Sequence, residues 1–412
     1  MRRRDTLAFL GAAGTAAGAG ATVKPEALRV RWMFSSGAQR DAMVRLTADY
    51  AKQRPVTSIE MEQAAYKSVM ESALREAESE SDVMLWFAGE RLGEFVRQGL
   101  IEPLGPLARS QGWSQRFGPA MMSAVQVDGE PYAVPLSTYA WGFFYRRSVF
   151  ARMGLSPPQQ WDEFLAACAL MRREGLTPIA LGGKDLWPLA AWFSQISLRL
   201  HGRAFHAELM AGRVSYSADA RVRRIFEHWQ LLHQQQAFGA NFARLDWRAA
   251  LPYVSRGLAG MVLAGGFAGL QFPAAVREDI GYFRFPTIDP RVLPAEEAPL
   301  DVMLVPRNAA NKPAAFNFLR YLAEPQVQSH FNAAIGLLPP HQQAAIGSAP
   351  WVQAGARQLA QARGVTQFFD RDSPGAFAQP AMAQLLRFLE RPAELPAVLL
   401  QLDELRRKHY GT

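Results

Sequence analysis

Cysteine is almost absent from this chain. The 412 residues contain one, Cys168, which excludes an intrachain disulfide. Cys168 lies within the apolar helical pattern of residues 163–171, and this predicts that its thiol fills space in the core. No cysteine follows the small residues Ala19, Gly20 and Ala21, so we expect no lipid attached through a cysteine at that point.

Long apolar runs are also lacking, and no segment is predicted to span a bilayer. The chain instead begins with three arginines after Met1, followed by a weakly apolar stretch rich in Gly and Ala. This order, with small residues up to Ala21, predicts an export signal over residues 1–21. Residues 3–7 resemble the twin-arginine export motif, although Arg2 stands where Ser or Thr is usual, and an ordinary secretory signal is the alternative.

Charge is not concentrated in any one segment. Removal of residues 1–21 takes away three arginines and one aspartate, which lowers the formal net charge from +8 to +6 and leaves 391 residues. That length favours two or three domains. The basic groups at 221–224 and 406–408 lie in amphipathic helical patterns, so they indicate solvated helix faces and no nucleic-acid surface.

The residue patterns of common enzymes and metal sites are missing. No Gly-x-Ser-x-Gly occurs, and two histidine pairs, at 201 and 206 and at 228 and 233, have a spacing of five where helical zinc motifs have four. Paired acids occur at Glu296 and Glu297 and at Asp370 and Asp372, within predicted loops, and we interpret them as solvated charge. We therefore expect no catalytic residue, no metal and no cofactor.

Strands and helices alternate along the chain, which predicts an α/β fold with parallel strands and helices on both sheet faces. The first strands are predicted at 28–34, 56–61 and 82–87, with helices at 38–53 and 66–78 between them. After Pro135 the pattern restarts, with strands at 142–145, 178–181 and 280–285 and a helix at 161–173. A proline-rich loop at 286–299 precedes a strand at 300–306 and a helical run at 312–332, and a further loop is predicted at 369–380.

Several segments resemble the bacterial extracellular solute-binding proteins of family 1. The most specific are residues 127–136 (Val-Asp-Gly-Glu-Pro-Tyr-Ala-Val-Pro-Leu), 142–150 and 153–164, in that order. Residues 81–87, 256–262 and 312–322 resemble further segments of the same family, so the resemblance extends over nearly the whole chain after the signal.

The resemblance implies a fold like that of periplasmic binding proteins, with two lobes that each contain a mainly parallel sheet flanked by helices. In such proteins the chain crosses between the lobes three times, here near residues 135–137, 299–301 and 337–340. Residues 22–136 and 299–336 would then form lobe 1, and residues 137–298 together with the helical residues 337–412 would form lobe 2.

A sugar presents apolar CH faces and a rim of hydroxyl groups, so its site needs aromatic platforms and fixed polar groups at strand ends. Trp32, Ser35 and Ser36 end the first strand, and Trp86 ends the third. The resemblance implies that Tyr139 faces the cleft after the first crossing. Core packing is the alternative for each of these aromatic residues.

The loop at residues 182–188 is the strongest local candidate for a binding segment. Its glycines permit close approach of a ligand to the backbone, Lys184 and Asp185 supply a charged donor and acceptor, and Trp187 supplies a platform. A phosphate loop is a poor alternative, because Asp185 stands where Ser or Thr is required.

Two more candidates come from the resemblance alone. Phe267 stands where relatives usually carry Trp, which retains a platform but loses the indole donor. Asp301 matches an aspartate whose carboxylate accepts sugar hydroxyls in glucose-type members. Ile335 replaces a ligand-contacting Lys of that subgroup, so glucose itself is disfavoured.

The function implied is that of the periplasmic, soluble and monomeric binding component of an ABC importer, which delivers a mono- or oligosaccharide to the membrane permease. Two alternatives stay open: a non-sugar cargo (a polyol, glycerol phosphate or another anion) in the same fold, and a secreted enzyme that acts on glycans.

Overall fold

A computed structural model describes residues 27–76 and 79–411, so the predicted export signal at 1–21 lies outside the described residues. The strands are β1 Leu28–Phe34, β2 Val56–Glu62, β3 Val83–Phe87, β4 Gln126–Val127, β5 Glu130–Pro131, β6 Ala133–Thr138, β7 Trp141–Arg146, β8 Thr177–Ile179, β9 Ala259–Gly265, β10 Ile280–Arg284, β11 Glu296–Glu297, β12 Leu300–Leu304 and β13 Val365–Thr366. The helices are α1 Gly37–Ala51, α2 Gln63–Arg75, α3 Glu90–Arg97, α4 Gly105–Ser110, α5 Trp113–Ala124, α6 Arg147–Arg152, α7 Trp161–Arg173, α8 Trp187–Met210, α9 Ala220–Gln234, α10 Trp247–Ser255, α11 Ala274–Arg277, α12 Lys312–Leu322, α13 Pro325–Ile335, α14 Pro350–Gln361, α15 Gly375–Glu390 and α16 Leu395–Tyr410. Short 3₁₀ helices occupy Phe242–Arg244, Gly266–Gln271 and Pro392–Glu394.

Two sheets organise the molecule, as the family resemblance implied. The first has the strand order β2-β1-β3-β12-β6, and the second has the order β10-β7-β9-β8. Both sheets are mixed, whereas mainly parallel sheets were predicted. The local order of strands and helices does not fix the direction of strands that join a sheet from distant parts of the chain. β1 is parallel to β2 and β3, whereas β12, which returns to the first sheet from the opposite side, is antiparallel to β3 and β6. In the second sheet only β8 and β9 are parallel.

Aromatic residues fill the core of the second sheet. Phe143 on β7 stacks on Phe283 of β10, with ring centroids 5.1 Å apart, and also packs against Phe164 of α7. Cys168 on the same helix is fully buried, and burial raises the pKa of its thiol. The prediction that this cysteine fills core space is confirmed.

The segments expected to cross between lobes lie side by side. Thr138, at the end of β6, exchanges two backbone hydrogen bonds of 2.9 Å with Leu338, and it also pairs with Leu300 of β12. Two side-chain amides of α13 form hydrogen bonds to the first crossing segment, at residues 135–137. Gln328 donates to the Pro135 carbonyl at 2.7 Å, and Asn332 donates to the Leu136 carbonyl at 2.9 Å. The two sheets are therefore joined through a compact, hydrogen-bonded junction.

Helix and strand boundaries differ from the predictions where proline begins an element. The helical run predicted at 312–332 is two helices, because Pro325 starts α13 after a break at residues 323–324. Residues 375–380 of the predicted loop already belong to α15. The helix predicted to end at residue 78 is described as far as Arg75.

Glu296 and Glu297, two of the four acids predicted to be solvated in loops, are instead buried in β11. Asp370 and Asp372 do lie in a loop, but they are half-buried. Glu296 pairs with Arg199 at 2.7 Å, and Glu297 accepts a hydrogen bond of 2.8 Å from Gln195. The loop interpretation was wrong because β11 pairs with β13, which carries both carboxyl groups into the interior beside α8. Burial raises the pKa of Glu297, and it raises the pKa of Asp372 from its ordinary 3.8 to about 7.

None of the described helices has the length and apolar character that a membrane crossing requires.

Candidate functional site

A cavity of about 1030 Å³, part of it open to solvent, lies where the two sheets meet. It is lined from the first sheet and its helices, from the second sheet and its helices, and from the segment after β13. The lining residues are Met33, Ser35, Ser36, Gln39, Gln63, Lys67, Phe87, Tyr139, Trp141, Trp187, Trp247, Phe267, Leu270, Gln271, Asp301, Ile335, Leu337, Phe368, Asp370 and Arg371.

Six of the ten residues predicted to bind a ligand line this cavity together. They are Ser35, Ser36, Tyr139, Trp187, Phe267 and Asp301. The other four, which do not line it, are Trp32, Trp86, Lys184 and Asp185.

Trp32 and Trp86 lie in the hydrophobic core of the first lobe. Both are almost fully buried, and the Trp86 indole N–H donates to the carbonyl of Arg91 at 3.1 Å. Successive side chains of a strand point to opposite faces. The next residues along β1 and β3, Met33 and Phe87, therefore line the cavity in place of the two tryptophans.

The loop after β1 presents fixed polar groups to the cavity. Ser36 caps α1, since its hydroxyl accepts the backbone N–H of Gln39 at 3.2 Å. The Ser35 backbone N–H and hydroxyl both donate to Oε1 of Gln39, at 2.8 and 3.1 Å. This mutual bonding holds both serines in place while their oxygens remain available as hydrogen-bond acceptors.

The loop at residues 182–188 was predicted to contact a ligand through Lys184, Asp185 and Trp187, but of these three only Trp187 lines the cavity. Lys184 is exposed away from the cavity, and Asp185 accepts the backbone N–H of Trp247 at 2.8 Å. A Cβ on Gly182 would lie 2.5 Å from the Cα of Trp247, so this glycine permits the approach of residues 246–247. The loop thus supports the start of α10, and only Trp187 faces the cavity.

Aromatic side chains form one wall of the cavity. Trp187 lies edge-on to Trp141, Trp247 and Phe267, with centroid distances of 5.7 to 5.9 Å. Trp141 stacks on Phe368 at 5.0 Å. The half-buried rings of Trp187, Trp247 and Phe267 therefore offer faces and edges to a ligand.

Trp141, Trp247 and Phe368 were not among the predicted site residues. The available signals were weak. Trp141 begins β7 two residues after Tyr139, and Trp247 follows the helix-capping Asp246. Phe368 follows a two-residue strand that no sequence pattern indicates.

A buried hydrogen-bonded group forms the facing wall. The Arg371 guanidinium pairs with Asp301 at 3.0 Å and donates to the Tyr139 hydroxyl at 3.2 Å and the Leu300 carbonyl at 3.1 Å. It also lies 4.1 Å from the ring centroid of Phe87. Burial raises the pKa of Asp301, and the Arg371 charge opposes that rise. The group presents fixed donors and acceptors to the cavity.

Metal binding has no support in the described part of the chain. Within residues 27–76 and 79–411, no three His, Cys, Asp or Glu side chains are grouped closely enough to hold an ion.

Comparisons with family models, with sequences and with solved structures all match extracellular solute-binding proteins. The family model described as bacterial extracellular solute-binding protein matches residues 35–329. An uncharacterized ABC transporter extracellular-binding protein of Pyrococcus horikoshii is 26% identical over 383 residues, which cover 90% of this chain and 86% of the relative. A probable sugar-binding periplasmic protein of Mesorhizobium japonicum is 24% identical over 206 residues, which cover 48% of each chain.

Among solved structures, the bacterial solute receptor AcbH superposes with a TM-score of 0.87 and 25% identity, covering 93% of this chain and 99% of that one. That receptor has an exclusive substrate preference for β-D-galactopyranose. The two-lobe α/β architecture is thereby confirmed.

Proposed function

We propose that this chain, which belongs to the family of bacterial extracellular solute-binding proteins, captures a mono- or oligosaccharide in the cavity between its sheets and delivers it to an ABC permease. The sugar-binding relative and the galactose receptor support a carbohydrate cargo. The observation that carries the proposal is the pairing of an aromatic wall with a wall of fixed hydrogen-bonding groups in one cavity.

This pairing suits the chemistry of a sugar ring. The half-buried indoles of Trp187 and Trp247 would cover the apolar CH face of a ring. Asp301 would accept hydroxyl protons, and its pairing with Arg371 keeps the carboxylate oriented. The two serines after β1 would contact the ring edge from the first lobe.

Closure of the lobes would couple binding to delivery. The cavity takes residues from both sheets, so one ligand would contact both lobes at once. A ligand shifts a conformational equilibrium only by its different affinity for the two states, and contacts from both sides supply that difference. The closed form is then the one that the permease recognises.

The protein would act as a receptor outside the cytoplasm and not as an enzyme. Family members and structural neighbours are binding proteins. The export signal proposed at 1–21, by the twin-arginine route, would bring a monomer to the periplasm without a lipid anchor.

A thermal-shift screen over a sugar library tests the proposal. A ligand that binds only the native state raises the melting temperature by mass action, so a cargo sugar should raise it while polyols and glycerol phosphate do not. Calorimetry then gives the affinity, and an assay for new reducing ends over hours checks that the sugar is not consumed.

Asp301→Asn supplies the control at the site. It should weaken binding of the identified sugar by about 1–3 kcal/mol, the range for losing a charge-assisted hydrogen bond. A library in which only anions bind, or a sugar that is hydrolysed, would refute the proposed function.

A further inference from the structure

The turn at residues 341–345 fastens the chain to α13, shortly after the segment that pairs with the end of β6. The His341 backbone N–H donates to Oε1 of Gln328 at 3.0 Å, and the Ala345 backbone N–H donates to the Ser329 hydroxyl at 2.8 Å. Because α13 packs against β6 of the first sheet, these bonds hold the turn to the first lobe.

The same turn is a fixed point of the chain before it enters the second lobe. The Gln342 backbone N–H donates to the Arg116 carbonyl of α5, another helix of the first lobe, at 2.8 Å. The chain then reaches α14, where Trp351 packs against Phe144 of β7 with ring centroids 6.4 Å apart. Release of the turn would therefore lengthen the free chain that joins the two lobes here.

The imidazole of His341 closes the turn from inside. Its Nδ1 accepts the backbone N–H of Gln343 at 3.1 Å, so Nδ1 carries no proton in this arrangement. The residue is 3% exposed, and its ring lies edge-on to Phe117 of α5 with ring centroids 5.6 Å apart. The turn thus depends on a buried, neutral histidine ring.

Two charged side chains face this ring. Arg116 on α5 and Glu324, the residue before α13, form an ion pair of 3.6 Å beside it. Burial lowers the pKa of His341 from its ordinary 6.5, the Arg116 charge lowers it further, and the Glu324 charge opposes both. The ring is therefore neutral at pH 7, and it takes up a proton only in acid.

A proton on Nδ1 would remove the acceptor that closes the turn. The protonated ring would present an N–H to the Gln343 N–H and place a buried charge beside Arg116, and both effects are unfavourable. The change would also reach the first crossing segment, because Gln328 links the His341 backbone to the Pro135 carbonyl, to which its Nε2 donates at 2.7 Å. One protonation would thus loosen two of the segments expected to join the lobes.

We propose that His341 is an acid-sensitive fastening of the lobe junction: when its imidazole gains a proton, the turn at residues 341–345 separates from α13 and the lobes open. Opening lets water reach the ring, so the open form holds the proton more readily than the closed form, and acid shifts the equilibrium toward it. This switch goes beyond the proposed function, because it changes the shape of the protein without any sugar.

Small-angle scattering of the ligand-free protein tests the switch at about pH 5 and about pH 7.5, on either side of the ordinary histidine pKa. The wild-type radius of gyration should be larger at the lower pH. His341→Asn should stay compact at both, because the Asn Oδ1 can accept the Gln343 N–H but cannot titrate. His341→Ala lacks the acceptor and should have the larger radius at both pH values.

His330→Asn, a change at an exposed histidine of α13, is the matched control and should expand in acid as wild type does. Circular dichroism establishes that each protein remains folded at both pH values. Asp372 titrates in all of these proteins, so a difference between wild type and His341→Asn belongs to His341. A wild-type radius that does not change with pH, or an Asn variant that expands as much as wild type, would overturn the inference.

Calorimetry gives a second readout once the thermal-shift screen has identified a sugar. Wild-type affinity should fall by about 3- to 10-fold between about pH 7.5 and about pH 5, since one proton taken up on opening changes the affinity by at most about 10-fold per pH unit. The affinity of His341→Asn should change by less than about 2-fold over the same range, because its side chain takes up no proton.

The two readouts keep the switch and the proposed function apart. If no sugar in the library binds the wild-type protein, the proposed function falls, and scattering still decides whether the switch exists. If a sugar binds wild type and His341→Asn with the same dependence on pH, the switch is refuted and the transport function survives.

Discussion

Trp187 and Trp32 show how two tryptophans at the ends of predicted elements take different roles. Trp187 is half-buried and faces the cavity beside Trp141, Trp247 and Phe267. Trp32 is fully buried in the core of the first lobe. The difference predicts that one residue serves affinity and the other serves stability.

We expect Trp187→Ala to weaken sugar binding by roughly 1–3 kcal/mol, the range for exposing a large apolar side chain. Trp32→Ala, the matched control, should lower the free energy of unfolding by roughly 3–5 kcal/mol and leave the affinity of the folded protein unchanged. Calorimetry and urea unfolding measure the two quantities. Wild-type affinity in a folded Trp187→Ala protein would show that this indole does not contact the ligand.

Asp372 carries a testable pH dependence. Its pKa is raised by burial from the ordinary 3.8 to about 7, so the folded state holds a proton that the unfolded state releases. Between these values the native state binds more protons, and the free energy of unfolding therefore falls as pH rises. The carboxyl of Glu297, whose pKa burial also raises, contributes a slope of the same sign.

Denaturant titrations between pH 4 and pH 8 should show this decline, with roughly 1–4 kcal/mol arising from Asp372. Asp372→Asn keeps an oxygen for the Gln367 backbone N–H but cannot titrate, so its decline should be smaller. Equal slopes for the variant and wild type would assign the effect to other groups.

At the scale of elements, the loop at 182–188 and helix α10 act as one unit. Asp185 accepts the N–H of Trp247, the first residue of α10, and Asp246 caps the same helix by accepting the N–H of Ala249 at 2.8 Å. The position of the Trp247 ring in the cavity therefore depends on a carboxylate that does not line it.

Asp185→Ala should weaken sugar binding by about 1 kcal/mol and lower the free energy of unfolding by a similar amount, because it removes one hydrogen bond from a helix start. Lys184→Ala, in the same loop but exposed, should change either quantity by less than about 0.5 kcal/mol. An effect of Lys184→Ala on affinity equal to that of Asp185→Ala would return the lysine to the binding site.

At the scale of the whole molecule, Arg248 bridges the two lobes. It lies on α10, its guanidinium carbon is 4.7 Å from the ring centroid of Trp247, and it donates to the carbonyl of Ser35 in the first lobe. Ser35 and Trp247 both line the cavity, so this bond joins the lobes beside the cavity. It would favour the closed arrangement with or without ligand.

We expect Arg248→Met, which keeps the apolar stem and removes the donor, to increase the radius of gyration of the ligand-free protein. Sugar affinity should fall by about 1 kcal/mol, because closure loses one interlobe hydrogen bond. Small-angle scattering with and without sugar measures the change. Arg256→Met, an exposed change just after α10, is the control. A variant as compact as wild type without ligand would show that the bond does not bias closure.

The sequence predicted seven of the nine strands of the two main sheets to within about two residues, because apolar periodicity and proline breaks act locally. β1 and α7 have the predicted bounds. It did not predict β11 and β13, which are two residues each and exist only through their mutual pairing. The burial of Glu296 and Glu297 follows from that pairing, so local polarity gave a wrong interpretation.

The sequence by itself determined the α/β fold and the family. It also identified the segments after β1, β6 and β9, which supply Ser35, Tyr139 and Phe267 to the cavity. Only the tertiary structure decided which side chain of each segment faces the cavity. Strand register turned Met33 and Phe87 toward it in place of Trp32 and Trp86, because neighbouring strand residues point in opposite directions. Long-range packing then brought Lys67, Asp370 and Arg371 together from segments some 300 residues apart, a distance over which no local periodicity carries information.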